Sequence, residues 1–184
     1  MIPAGTWERI VKLLIRKGLV REHKIKIGKG RGGTSQLLEI TEEGCNAINM
    51  QKKHYTRGGG FMHDYWVDKI HQKIKSSYGD ELKIEIENNI KGKFIDITAS
   101  TENMIEAFEI ELSDANIESN IKRDFEIAEI NHLTIICAEE KVFEKAGEIL
   151  KKFSEDIQGK TKIVMANTLA EGREWKGGGN GGDN

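Results

Sequence analysis

The sequence predicts an α/β chain in two parts, a small α+β segment followed by an αβββαβ domain with an additional helix and strand. Three observations predict it. Charge divides sharply: residues 1–57 hold 12 Lys and Arg against 5 Asp and Glu, a balance of +7, whereas residues 58–184 hold 16 against 25, a balance of −9. The run Arg57-Gly58-Gly59-Gly60 stands at that divide and reads as a linker. Beyond it, apolar residues alternate between helical and strand spacing in the order α-β-β-β-α-β-α-β, the pattern of a sheet with helices packed on it.

In the first part, residues 6–17 read as a helix. Trp7, Ile10, Val11, Leu14 and Ile15 recur at i, i+3, i+4, i+7 and i+8, Thr6 is placed to cap them, and Gly18 follows the end. LVREHKIKI and SQLLEIT, joined by GKGRGGT, read as a two-stranded hairpin with a glycine-rich tip. Thr41, with Glu42 and Glu43 behind it, opens a short helix through Ile48.

In the second part, residues 62–77 form an amphipathic helix. LKIEIEN and KFIDITAS make a hairpin that turns around Asn88, Asn89 and Gly92, and IEAFEIELS is a third strand. Residues 115–129 are helical, HLTIICA is a wholly apolar buried strand, and residues 139–157 are a helix with Val142, Phe143, Ala146, Ile149, Leu150 and Phe153 on one face. TKIVMAN is the last strand. The expected boundaries are 1–57, 61–167 and a flexible tail over 168–184, and there is no internal repeat.

Composition closes off several function classes. Charged residues make up 32% and hydrophobic ones 38%, and no apolar run approaches the roughly 18 residues of a membrane span. MIPAGTWERI lacks the layout of a signal peptide, so the expected location is cytoplasmic and no membrane partner is expected. Cys45 and Cys137 form no CxxC pair and read as buried, inert thiols. The five histidines show no HExxH or other ligand spacing, and read as surface or packing residues. Phe61, Tyr65 and Trp66 suit either a base-stacking platform or a helix anchored to a sheet, and packing is the commoner use.

The basic hairpin is the first functional signal. Cations at a tip stripped of side-chain bulk approach phosphates closely, and Lys24, Lys26, Lys29 and Arg31 supply them among the glycines. Lys12, Arg16 and Lys17 add charge from the helix. The competing reading is a solvated hairpin whose lysines blunt an edge strand. Gly28, Gly30 and Gly33 spell GxGxxG, but a dinucleotide site needs a helix after that turn and here a strand follows. No Lys precedes Thr34, so the turn is not a P-loop either.

TWERIVKLLIRKGLVREHKIKIGKGRGGTSQLLEITEEG resembles the second half of a winged helix-turn-helix: recognition helix, wing, supporting helix. The two helices that ordinarily precede the recognition helix are not in it. The resemblance therefore implies DNA binding by a fragment, or by a chain whose core another subunit completes.

The second signal is acidic. Alternate residues of a strand share a face, so Glu109, Glu111 and Ser113 point one way while Phe108, Ile110 and Leu112 point the other. Carboxylates on a greasy strand need a metal ion, a basic partner or solvent. Asp96 on the preceding strand is placed to sit opposite them, and Glu85 and Glu87 are further candidates.

With its αβββαβ order, residues 62–138 resemble the PD-(D/E)xK restriction-endonuclease-like nucleases. The resemblance assigns Asp96 and Glu109 to the two metal-binding acids, with Glu111 or Glu85 in support. Ile95 stands where that family often has Pro. Glu111 stands where it has Lys, so Lys122 or Arg123 on the following helix, near Asn120, would supply the cation. EIELSDANIESNIKRDFEIAEINHLTIICA is similar to nuclease-like C-terminal regions of DNA-translocating ATPases and conjugative mobile-element proteins. What this implies is Mg²⁺- or Mn²⁺-dependent hydrolysis of DNA, the ion lowering the pKa of a bound water. DNA, a partner ATPase or a second copy of the chain would be the partners. Two other readings stay open: a catalytically inactive nuclease-like DNA-binding or docking module, and a winged-helix transcriptional regulator.

Overall fold

The computed structural model describes residues 4–26, 34–52, 59–79 and 81–170. The chain divides into two compact units, Met1–His54 and Tyr55–Asn184. Both mix helix and strand, one around a two-stranded sheet and the other around a five-stranded sheet, and among the described residues no helix is long and apolar enough to cross a membrane.

The first unit runs α1 (Ala4–Arg16), β1 (Val20–Lys26), β2 (Thr34–Ile40), α2 (Glu42–Ala47), with β1 and β2 antiparallel from Val20↔Ile40 to Lys26↔Thr34. Helix α1 starts before Thr6, which lies inside it instead of capping it. Thr41 does cap α2: its Oγ1 accepts the Gly44 N–H at 3.0 Å and donates to the Gly18 carbonyl at 2.6 Å. One threonine thus closes the start of α2 against the end of α1. Among the described residues of this unit, Val11, Ile25 and Cys45 are the buried apolar ones, and Trp7 on α1 remains 49% exposed. Glu39 of β2 is buried, and His23 Nε2 at 2.8 Å and Lys52 Nζ at 2.5 Å meet its carboxylate. The GxGxxG turn, with Lys29 and Arg31, lies outside the described residues.

The second unit runs α3 (Gly60–Tyr78), β3 (Lys83–Ile90), β4 (Lys93–Ser100), β5 (Ile105–Glu111), α4 (Ile117–Phe125), β6 (Ile130–Cys137), α5 (Glu140–Leu150), α6 (Glu155–Lys160), β7 (Thr161–Met165), α7 (Ala166–Ala170). Its sheet has the order β3-β4-β5-β6-β7, antiparallel through β5 and parallel from β5 to β7. The hairpin turns at Lys91-Gly92, both with positive φ, so Asn88 and Asn89 belong to β3 and not to the turn. Residues 139–157 are two helices, because Ser154 breaks the run and caps α6 through the Ile157 N–H. The helix expected over 115–129 is shorter, ending at Phe125. Residues 168–170, expected in a flexible tail, continue α7, and Leu169 is buried in the core.

Each face of the sheet carries its own core. On one, Trp66, Val67, Ile70 and Ile74 of α3 pack with Ile97, Phe108, Ile110, Ile136 and Val164. On the other, Ile117 and Ile121 of α4 and Val142, Ala146 and Ile149 of α5 pack with Ile95, Ala107, Leu133 and Ile135. Trp66 is therefore a packing residue, with Tyr65 edge-on to it at 5.1 Å.

The β3–β4 ladder is irregular at one place. The register holds at Ile86↔Ile97 and Asn88↔Ile95 but skips the pair between them, Glu87 and Asp96. Glu87 has φ of 50°, a left-handed conformation that costs a non-glycine residue about 1 kcal/mol or more. Ile95 and Ile97 would share a face in a regular strand; here they belong to opposite cores.

Candidate functional site

The kink frees Asp96 from the ladder. Strands β4 and β5 pair from Ser100↔Ile105 to Ile97↔Phe108, and the next positions would be Asp96 and Glu109. There a side chain replaces the backbone: Asp96 Oδ2 accepts the Ile110 N–H at 2.8 Å. The same oxygen stands 3.0 Å from His63 Nε2, in the first turn of α3. Burial alone would lower the His63 pKa, but the bond to Asp96 and the negative charge of Asp96, Asp64 and Glu111 outweigh it and hold the ring above its ordinary 6.5.

Glu109 and Glu111 follow on β5, at the carboxyl end of the parallel strands, and helix α4 answers them. Ile117 and Ile121 seat α4 in the core, which turns Asn120 and Arg123 toward β5. The Arg123 guanidinium then spreads over three oxygens: Nη2 donates to Glu109 Oε1 at 2.5 Å, Nε to Asp124 Oδ1 at 2.7 Å, and Nη1 to Asn120 Oδ1 at 3.0 Å. Asn120 Nδ2 donates to Glu111 Oε1 at 2.7 Å. Lys93 Nζ holds the end of α4 through the Arg123 carbonyl at 3.1 Å and Glu126 at 2.6 Å.

The cluster carries surplus negative charge. Among the described residues, Asp96, Glu109, Glu111 and Asp124 are grouped with the cation of Arg123 and the titratable ring of His63. Burial pushes Glu109 well above the usual carboxylate range, with Asp96 and Asp124 adding to the rise and Arg123 offsetting only part of it. Glu111 and Asp124 are also raised, in each case first by burial. Asp124 is 0% exposed, and its Oδ2 has no hydrogen-bond donor. Against the Glu109 carboxyl it meets acceptor with acceptor unless a proton lies between them. Cys137, next to Glu111 in the β5–β6 register, has its thiol pushed up to about 12 by burial and then by that carboxylate, as an inert thiol requires.

The other residues singled out from the sequence make contacts of their own. Lys122 projects outward, its side chain 60% exposed and paired with Glu118 at 2.6 Å. Glu85 pairs with Lys83 at 2.9 Å and takes a bond from Asn88 Nδ2 at 3.2 Å. Lys12, Arg16 and Lys17 are exposed at α1, and Lys24 is exposed on β1, 3.7 Å from Glu22. Lys26 closes β1.

Two members of the cluster escape the sequence reading. Nothing in the spacing ties His63 to an aspartate 33 residues later. Asp124 leaves a trace, since it falls at i+7 and i+3 from Ile117 and Ile121, on the apolar stripe of α4 where a charge needs a reason.

The acids as they stand do not fit the divalent ion that the nuclease resemblance implies. A guanidinium lies on Glu109, Asp96 is engaged by His63 and a backbone N–H, and Glu111 by Asn120. Among the described residues no group of three or more His, Cys, Asp or Glu side chains is placed to hold a metal. No protein-family model matches the chain, and no curated protein matches it.

Proposed function

We propose that this chain is a DNA-binding module with a restriction-endonuclease-like unit that does not hydrolyse DNA. The first unit supplies the DNA contact as a partial winged helix, with Lys12, Arg16, Lys17, Lys24, Lys26, Lys29 and Arg31 neutralising phosphates. The order α3-β3-β4-β5-α4-β6, with Asp96 and Glu109 at adjacent positions of neighbouring strands, supports the nuclease-like reading of the second unit. The observation that carries the non-hydrolytic reading is the Arg123–Glu109 pair. A metal-bound nucleophile needs carboxylates turned toward an ion, and here a protein cation already takes Glu109.

Gel retardation of short duplexes and nicking of supercoiled plasmid test the two halves separately. Retardation is expected at low salt without any divalent ion, with log K falling linearly in log salt. Replacing Lys24, Lys29 and Arg31 by Ala should shallow that slope by about 0.9 for each phosphate no longer neutralised. Plasmid nicking with Mg²⁺ or Mn²⁺ that disappears in Asp96→Ala would replace this reading with an enzyme. Absence of retardation at low salt would remove the DNA reading altogether.

A further inference from the structure

We propose that the exposed apolar stripe of α1 docks an amphipathic helix of a partner protein, laid antiparallel to α1 and acidic in its first turn. The inference goes beyond the DNA reading and shares only Lys17 with it. Six of the nine large apolar side chains exposed among the described residues belong to the first unit: Trp7, Ile10, Leu13, Ile40, Ile48 and Met50. Three of the six lie on α1, where Trp7 is 49%, Ile10 36% and Leu13 39% exposed. Among the described side chains of that helix only Val11 is buried. With about 3.6 residues per turn, positions 7, 10 and 13 form one oblique stripe beside Val11. Single apolar residues on a surface need no explanation, but a tryptophan and two aliphatic residues in a row make a patch of the kind that anchors interfaces.

The charge around the stripe says what covers it. Arg9 and Lys17 stand four residues before and four after Leu13, so both border its side of the helix, and both are exposed. Lys17 stays on the last turn through its N–H to the Leu13 carbonyl at 3.0 Å. A partner helix running antiparallel sets its own N-terminus beside Lys17, where its dipole also favours carboxylates. A second copy of α1 does not supply them. The first turn of α1 holds no acidic residue, so an antiparallel pair of α1 helices leaves Lys17 without a carboxylate, and a parallel pair sets Lys17 against itself. Lys12 lies opposite Ile10 around the helix and Arg16 opposite Trp7, so phosphate contact and helix docking draw on different faces. The mode is that of a helix laid along an apolar strip, its orientation set by charges at the rim.

The test titrates the full chain calorimetrically with two synthetic peptides, each a leucine-striped amphipathic helix long enough to span α1. One carries glutamates in its first turn and the other lysines. The glutamate peptide should bind one to one, and the lysine peptide about tenfold more weakly at low salt. Trp7→Ser and Leu13→Ser should abolish binding of the glutamate peptide, and Lys17→Glu should reverse the preference. Both Ser variants should melt at the wild-type Tm and retard DNA as wild type does, because an exposed stripe supports neither the core nor the phosphate contacts. Unfolding of the Ser variants would place the stripe in a core and overturn the inference. Self-association in sedimentation that Trp7→Ser removes would name a second copy as the occupant, and binding to phosphatidylserine vesicles that Trp7→Ser removes would name a membrane. Either result overturns it, as does equal binding of the two peptides or binding of neither. Absence of DNA retardation by wild type would instead overturn the DNA reading and leave this one standing.

Discussion

His63 Nε2 lies 3.0 Å from Asp96 Oδ2, and that oxygen also accepts the Ile110 N–H, so one atom ties the start of α3 to the middle of the sheet. A ring held above pKa 6.5 binds its proton more tightly in the folded chain than in the unfolded one. The stabilisation from this pair is therefore fully present below about pH 6.5 and fades as pH climbs through the raised folded value. Urea unfolding at about pH 5.5 and about pH 8.5 should show wild type losing stability across the interval, and His63→Gln losing less. Parallel losses in the two proteins would remove the pair from the account.

Glu39 in the first unit titrates the other way. Burial raises its pKa, but the bonds from Lys52 and His23 and the charge of Arg21 bring it below the ordinary 4.5. Its contribution is present above about pH 4.5 and lost as pH falls through the folded value. Amide hydrogen exchange on the whole chain should show β1 and β2 losing protection in acid, in a range where protonation of Glu109 and Glu111 still favours the second unit. Glu39→Gln should abolish the acid sensitivity of the hairpin.

Removing one partner of the Arg123–Glu109 pair should give opposite results depending on which partner goes. Arg123→Ala strands Glu109 and Asp124 without their cation and should cost about 3 kcal/mol in denaturant unfolding. Glu109→Gln keeps the shape and removes a group whose ionised form burial and the neighbouring acids already disfavour, so it should be close to neutral or stabilising. A large loss in Glu109→Gln would mean that the carboxylate form is the one the fold needs.

The joint between α1 and α2 should tolerate little. A Cβ on Gly44 would stand 2.1 Å from the Leu19 carbonyl oxygen, and backbone does not yield as a flexible side chain does. Gly44→Ala should therefore unfold the first unit or shift α2, seen as loss of exchange protection at Cys45. Thr41→Ala removes the cap and the bond to Gly18, and should cost about 1 kcal/mol.

Periodicity made the element order of the second unit legible, because each helix and strand buries a face whose spacing is written in the chain. Boundaries were less legible where a short-range bond decides them. Ser154 reads as one more polar residue in a helical run until its side chain is seen capping α6. Asn88 and Asn89 have turn chemistry, yet the positive φ falls at Lys91 and Gly92. Alternation along β5 places Glu109 and Glu111 on one face, and Asp96 stands one position beyond the last β4–β5 pair, across from Glu109. His63 could not be read at all, since a contact across 33 residues leaves no periodic mark.

The left-handed residue at position 87 makes β4 a fulcrum. Its two ends load opposite interiors of the sheet, with the carboxylate of Asp96 at the pivot. Repacking on one flank, at Ile97, must therefore tilt what Ile95 meets on the other, through the short stretch of chain between them. Sequence change on the two flanks is therefore linked through the one residue between them.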